Sequence, residues 1–271
     1  MSDTADILVA VVQWAPGDDR VHNRDAVAAF VAVAAARGAR LVVFPEYSSF
    51  FVDPLGPAFG RNAEPIAGEF VDALAEAARH HDVYVVAGLV EAVEDPRHFS
   101  NTLVAVDPLG DVVATYRKQH LYDAFGARES DWVVPGPLAD PEIFVVDGIA
   151  VGLQTCYDLR FPEVTRRLAD AGADLVLVPA EWVRGPLKEH HWRTLLTARA
   201  IENTVYVAAA DHAPPVGVGN SMVVDPMGVA VAEIGEVAGV AVAEISRRRV
   251  HDVREVNPAL ALRRYRVVPR D

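Results

Sequence analysis

Cysteine is nearly missing from this chain: Cys156 is the single thiol among 271 residues. One cysteine excludes an internal disulfide framework and fits a reducing compartment. Lysine is almost as scarce, with only Lys118 and Lys188 set against 23 arginines. Under so strong a bias toward arginine, a surviving lysine is informative, because arginine cannot always replace a compact ammonium. Positive charge is in deficit overall. A formal net charge of -13 argues against nucleic acid as a partner. Long apolar runs are absent, since charge or glycine interrupts each well before the length of a membrane span, so no membrane partner is expected. The acidic start Met1-Ser-Asp-Thr-Ala-Asp6 lacks the basic stretch of a signal peptide. Together these absences predict a cytoplasmic protein. What is plentiful is apolar side chain, 51% of the residues, enough for one large folded domain.

Strand-like and helix-like segments alternate along the chain. Residues 7–14 and 40–44 read as valine-rich strands on either side of an alanine-rich amphipathic helix at 23–37. A helix at 68–81 precedes a strand at 83–90. Segments 101–106 and 112–117 form a hairpin around Asp107-Pro-Leu-Gly110, and 142–146 with 149–155 form another around Asp147-Gly148. A helix from 164 to 171, a strand at 175–178, a helix at 189–203 and a strand at 205–209 follow. Segments 222–224, 229–234 and 240–245 end the pattern as a meander. Crossover helices mixed with hairpins predict an α/β fold with mixed sheets and helices outside. Loops 47–60 and 124–138 are long, and long loops in a compact domain are usually functional. One domain is expected over 1–246. The last stretch, 247–271, carries eight arginines and reads as a tail, lying on the surface or reaching a partner subunit.

Three groups have chemistry to offer, and each stands just past the end of a strand. Cys156 follows the apolar run Ile149-Ala-Val-Gly-Leu-Gln-Thr155 and precedes a helical pattern. A thiol on such a turn meets the free N–H groups of a helix start, which favour a thiolate and then an oxyanion. Taken alone, a free cysteine is more often a small buried hydrophobe. Glu46 follows Leu41-Val-Val-Phe-Pro45, at the carboxyl end of a buried strand, where α/β proteins place ligands. A partly desolvated carboxylate there suits general-base work. Lys118 follows Val112-Val-Ala-Thr-Tyr-Arg117; a fixed ammonium can hold a developing oxyanion. As a set they supply a nucleophile, a base and an oxyanion holder, with the Tyr157 N–H as a second donor. No Gly-x-Ser-x-Gly elbow and no phosphate-binding glycine loop competes with this reading. His80-His81 and His190-His191 are adjacent pairs without helix-face metal spacing and read as structural.

The segments Phe44-Pro-Glu46-Tyr, Tyr116-Arg-Lys118-Gln-His-Leu-Tyr-Asp123 and Cys156-Tyr-Asp-Leu-Arg-Phe-Pro-Glu163 resemble, in order, the three signature blocks of the nitrilase superfamily of carbon–nitrogen hydrolases. The likeness extends through Pro179-Ala-Glu-Trp182, 191–203 and 219–226, and covers roughly residues 5 to 245. It implies a four-layer α-β-β-α sandwich with two mixed sheets, dimerising through its outer helices into a homodimer or higher homo-oligomer. It also implies a Glu46, Lys118, Cys156 triad that uses no cofactor and no metal. Glu129, in Glu129-Ser-x-x-x-x-Pro135-Gly136, is similar to a second glutamate of the amidase branches that positions lysine and substrate.

Cys-Tyr-Asp-Leu-Arg-Phe-Pro-Glu is similar to amidases acting on ω-amides of keto acids or on deaminated glutathione, rather than to true nitrilases. The implied reaction is hydrolysis of the terminal amide of a small carboxylate through a thioester, with release of ammonia. An N-carbamoyl amino acid amidohydrolase is the alternative within enzymes, and a non-catalytic scaffold the alternative outside them. Tyr47, Tyr157 and Trp182 are candidate pocket walls. Arg160 either binds a substrate carboxylate or braces the turn by pairing with Glu163, the latter slightly favoured. Lys188 is placed on the solvent face of its segment. Asp211-His212 departs from the asparagine or glutamine common in relatives and touches recognition rather than chemistry.

Overall fold

A computed structural model describes residues 6–270; residues 1–5, on which the compartment expectation partly rests, lie outside them. In chain order the first half comprises β1 (Ile7–Gln13), α1 (Arg20–Ala36), β2 (Leu41–Val43), α2 (Pro57–Asn62), α3 (Glu69–His81), β3 (Tyr84–Ala92), β4 (Phe99–Val106) and β5 (Val112–Arg117). The second comprises β6 (Ile143–Val146), β7 (Ile149–Leu153), α4 (Pro162–Asp170), β8 (Leu175–Ala180), α5 (Lys188–Asn203), β9 (Tyr206–Asp211), β10 (Met222–Val224), β11 (Ala230–Glu233), β12 (Gly239–Ile245) and α6 (Arg247–Val256).

The strands form two six-stranded sheets, β12-β1-β2-β3-β4-β5 and β11-β10-β9-β8-β7-β6. Both are mixed: β1, β2 and β3 run parallel, as do β7, β8 and β9, with antiparallel strands at the flanks. Period-two alternation sorts each strand between two layers. Val9, Val11, Leu41 and Val43 meet Val151, Leu153, Leu175 and Leu177 between the sheets. Val12, Val42, Val85 and Leu89 face outward onto Val27, Val31, Phe70 and Leu74 of α1 and α3. Val176, Val178, Val207 and Ala209 face Leu168, Trp192 and Leu196 of α4 and α5. Strands apolar on both faces need a layer on each side, so the fold is an α-β-β-α sandwich.

Local chemistry sets the details. Asp19 caps α1 by accepting from the N–H groups of Val21 and His22, so the helix begins three residues before the expected 23. Asn23 turns inward instead, and its amide donates to the carbonyls of Gly17 and Ser49.

The expected terminal meander is corrected. β11 pairs with β10, but β12 leaves for the other sheet and pairs antiparallel with β1 over its whole length, from Ile7 with Ile245 to Gln13 with Gly239. The reason lies in its two apolar faces. Ala241, Ala243 and Ile245 belong between the sheets, while Val240 and Val242 belong under the helices. β11 is exposed except at Ala232, which packs against the core between the sheets. Gln13 fixes the crossing, its Nε2 donating to the carbonyls of Gly235 and Val237 at 2.8 Å each. The final stretch is not wholly a tail either: α6 buries Val250 and Val253.

Candidate active site

The three sequence-marked groups converge at the carboxyl ends of the parallel strands, where the two sheets open. β2 delivers Glu46 by way of Phe44 and Pro45. The chain turns immediately after it, with Tyr47 at φ 57°. Gly88 of β3 makes that turn possible: a Cβ there would lie 2.4 Å from the Tyr47 nitrogen and 2.7 Å from the Glu46 Cα. β5 ends at Arg117 and places Lys118, whose own N–H is tied to the Asn101 carbonyl at 2.9 Å. β7 leads to Cys156, which opens a short 3-10 turn, Cys156–Arg160, at φ 42°. Asp158 holds this turn by accepting from the Thr155 N–H at 3.1 Å and the Tyr116 hydroxyl at 2.7 Å.

The polar groups interlock. Lys118 Nζ donates to Glu46 Oε1 at 2.9 Å and to Glu129 Oε1 at 3.0 Å. Glu46 Oε1 also accepts from Asn101 Nδ2 at 2.5 Å, and Oε2 accepts from the Glu181 N–H at 2.6 Å. Glu129 Oε1 accepts from the Tyr47 hydroxyl at 2.8 Å, and Oε2 from the Tyr122 N–H at 2.5 Å. All these acids and the lysine are buried. Burial alone would lower the Lys118 pKa, but the charges of Glu129 and Glu46 outweigh it and hold the ammonium well above its ordinary value.

The Cys156 thiol moves the other way from the sequence expectation. Burial, and then the Glu46 charge, push its pKa well up, against the opposing pull of Lys118. Five residues of 3-10 turn do not offset that. The resting site therefore holds a neutral thiol, whose Sγ donates to the Glu181 carbonyl at 3.5 Å. Glu181, at the end of β8, is likewise pushed well up, by burial and by Glu46. It faces the cavity with Oε1 unpartnered.

A cavity of about 610 Å³ opens onto Glu46, Lys118, Glu129 and Cys156, the size of a small-molecule site. Tyr47, Tyr157 and Trp182 line it. Tyr47 and Trp182 are also buried in the structure behind, so their wall and packing roles coincide. Arg160 is not on the wall. Its guanidinium stacks over Trp182 at 4.7 Å and meets His191 Nδ1 at 3.4 Å. It makes no ion pair with Glu163, so the expected brace is absent. Lys188 is placed contrary to expectation: it is 5% exposed and lines the cavity. Asn101, Tyr122 and Glu181 were not marked by the sequence. Asn101 carried no clear signal, since it stands between Ser100 and Thr102 at the polar start of β4. Asp211 and His212 lie beneath the site, where Asp211 accepts from the Trp182 N–H at 2.7 Å and His212 Nε2 donates to the Glu46 carbonyl at 2.7 Å.

Among the described residues, the only cluster with metal-binding spacing is the exposed set His251, Asp252 and Glu255, on α6. No helix there is long and apolar enough to cross a membrane.

Comparisons with known proteins bear on the family and the fold. The carbon-nitrogen hydrolase family profile matches residues 8–255. The deaminated glutathione amidase of Escherichia coli O157:H7 is 38% identical over 259 residues, covering 96% of this chain and 98% of its own. An amidase from Nesterenkonia sp. AN1, solved as a double mutant in complex with acrylamide, superposes with a TM-score of 0.82 at 28% identity, covering 96% of this chain and 94% of that one. A further structure of that amidase, with a TM-score of 0.80 at 29% identity over 96% and 95% of the two chains, carries the acetamide moiety of fluoroacetamide covalently added at the active-site cysteine. These findings favour catalysis over the scaffold alternative. The chain belongs to the carbon–nitrogen hydrolase family, as an enzyme that hydrolyses carbon–nitrogen bonds other than peptide bonds.

Proposed function

We propose that this enzyme hydrolyses the terminal amide of a small carboxylate, with Cys156 as nucleophile, Glu46 as base and Lys118 as oxyanion holder. The observation that carries the reading is the single buried cluster of Glu46, Lys118 and Glu129 opening with Cys156 onto one cavity. A neutral resting thiol requires that its proton leave as the carbon–sulfur bond forms. Glu46 takes that proton while the sulfur attacks the amide carbon. The Lys118 ammonium and the Tyr157 N–H receive the oxyanion. The carbon–nitrogen bond then breaks, Glu46 returns the proton to the departing amine, and ammonia leaves a thioester on Cys156. Water, deprotonated by Glu46, attacks the thioester. The carbon–sulfur bond breaks, the sulfur regains a proton, and a carboxylate is released. Glu129 positions the ammonium, and Tyr47 orients Glu129.

Deaminated glutathione, named for the E. coli relative, falls in the same substrate class. The same reading includes a cytoplasmic homodimer formed through the outer helices. The test is ammonia release from succinamate, 2-oxoglutaramate, deaminated glutathione and carbamoyl amino acids. Cys156→Ala is expected to abolish turnover with an unchanged circular dichroism spectrum. Turnover that survives in this variant would remove the mechanism. Carbon dioxide released together with ammonia would select the carbamoyl alternative.

A further inference from the structure

Arg128 and Arg184 on the cavity wall pair with carboxylates; a third cation there, which the chemistry above leaves unused, does not. Lys188 is the first residue of α5, and the fold buries it. Its Nζ lies 3.0 Å from the Tyr122 hydroxyl. The rings of Tyr122, Phe125 and Trp182 surround it at 4.7, 4.8 and 5.2 Å from their centroids. Among the described residues no carboxylate comes within the 4.0 Å of an ion pair, although the chain has 38 acidic residues to offer. One hydroxyl uses one of the three N–H groups. Aromatic faces attract the cation but do not neutralise it.

The adjoining charge repeats the pattern. Arg160, stacked on Trp182 and 5.5 Å from Phe125, also has no carboxylate partner among the described residues. Two cations therefore share the same two rings without a counter-ion. Glu181, whose charge would act on Lys188, is itself driven toward its neutral form by burial and by Glu46. Keeping an ion desolvated and unpaired is costly, unless a ligand supplies the missing charge. The unpaired ammonium faces the cavity that holds the sulfur.

We propose that Lys188 is the specificity residue that receives the carboxylate of the substrate, while the amide end of the same molecule lies at Cys156. This rests on the amidase reading and narrows it. The preferred substrates are amides with a negative charge at the far end of a short acyl chain, and neutral aliphatic amides are poor ones. Arg160 adds its field from behind Trp182 without touching the ligand.

The experiment compares kcat/KM for succinamate with that for butyramide, which has the same chain length and no charge, in the wild-type enzyme, Lys188→Met and Lys188→Arg. Loss of the ammonium should lower the succinamate-to-butyramide ratio by at least about 30-fold, through KM, and Lys188→Arg should keep most of it. In the wild-type enzyme alone, succinate should inhibit butyramide hydrolysis competitively and more tightly than butyrate does. A ratio unchanged in Lys188→Met, or equal inhibition by succinate and butyrate, would overturn the subsite and leave the amidase reading standing. Parallel loss on both amides would assign Lys188 to the fold or to the sulfur, which also overturns it. A wild-type enzyme that releases ammonia from neither amide would overturn the short-chain subsite, and silence toward 2-oxoglutaramate and deaminated glutathione as well would remove the amidase reading with it.

Discussion

His212 is a buried histidine with one nitrogen occupied: Nε2 donates to the Glu46 carbonyl, while Nδ1 has no partner and the ring edge abuts Phe51 at 4.8 Å. Burial lowers its pKa from 6.5 to about 4. The sign follows directly. An unfolded chain takes up the proton near 6.5 and the folded chain only near 4, so the stability His212 contributes is complete above 6.5 and is lost as pH falls toward 4. Between pH 7 and pH 5 the loss from this one residue is about 2 kcal/mol. The buried acids Glu181 and Asp211, raised well above their ordinary values chiefly by burial, act in the opposite direction, so the difference between two proteins is the cleaner quantity. Denaturant unfolding of wild type and His212→Gln at pH 7 and pH 5 should show the variant losing about 2 kcal/mol less. Equal losses would dismiss the histidine as the source. Residues of this kind also mark the limit of reading from sequence. Glu46, Lys118 and Cys156 were legible because each ends an apolar strand, and strand ends can be found by pattern. Lys188 reads as a solvent-facing residue because its helix pattern does not show which loops fold over its start. Loops 47–60 and 124–138 supply much of the cavity wall, and no periodicity positions a loop. The state of the thiol was equally hidden, because it depends on carboxylates brought in from elsewhere in the chain.

At the scale of elements, β3 shows how a strand without any reacting group still sets the site. Gly88 donates its N–H to the Pro45 carbonyl at 3.1 Å and accepts from the Ser49 N–H at 3.1 Å, bracketing Glu46 on both sides. An added methyl would strike main-chain atoms of Glu46 and Tyr47, and these cannot rotate away. Gly88→Ala should therefore displace the Glu46 backbone and shift its carboxylate off Lys118. A misplacement of about 1 Å is expected to cost on the order of 100-fold in kcat, and the overpacking about 1–3 kcal/mol of stability. Gly239→Ala in β12, where nothing lies within 4 Å of the new methyl, is the control and should behave as wild type. Steady-state kinetics and thermal unfolding of both variants decide it; a Gly88→Ala enzyme with normal kcat would refute the bracketing. Strands themselves were well read from alternation, and most appear where the pattern placed them. Their partners were not. β12 looks like the next strand of a meander until both faces are seen to need cover, and that need arises only once two sheets and their helices exist together.

For the whole molecule, the open question is what the last 25 residues hold together. α6 closes one end of the sandwich. Val250 packs into the core between the sheets, and Arg249 Nη2 pairs with buried Asp225 at 2.8 Å. Arg254 donates to the Ala173 carbonyl at 3.1 Å and, with Arg247, faces buried Asp174. Beyond α6 the chain is mostly exposed, although residues 267–270 help line a second cavity of about 290 Å³ with Leu138 and Arg167. These two parts should behave differently when removed. A chain ending at 246 uncovers Val250's place in the core and takes the arginines from Asp174 and Asp225, which keep only main-chain donors. Losing the burial of Val250 and Val253 costs about 1.5–3 kcal/mol each, a large share of the 5–15 kcal/mol that holds a typical protein folded. That chain should fail to fold cooperatively. A chain ending at 257 keeps every one of those contacts and loses mainly exposed residues, so its thermal midpoint should fall by no more than about 4 °C. Sedimentation of the 257 chain then tests whether the tail reaches a second copy: a tail that does so would lower the assembly state on removal, and a tail lying on its own surface would leave that state unchanged. A chain ending at 246 that unfolds with the wild-type midpoint would show that α6 is an appendage, and that Asp174 and Asp225 do without their arginines.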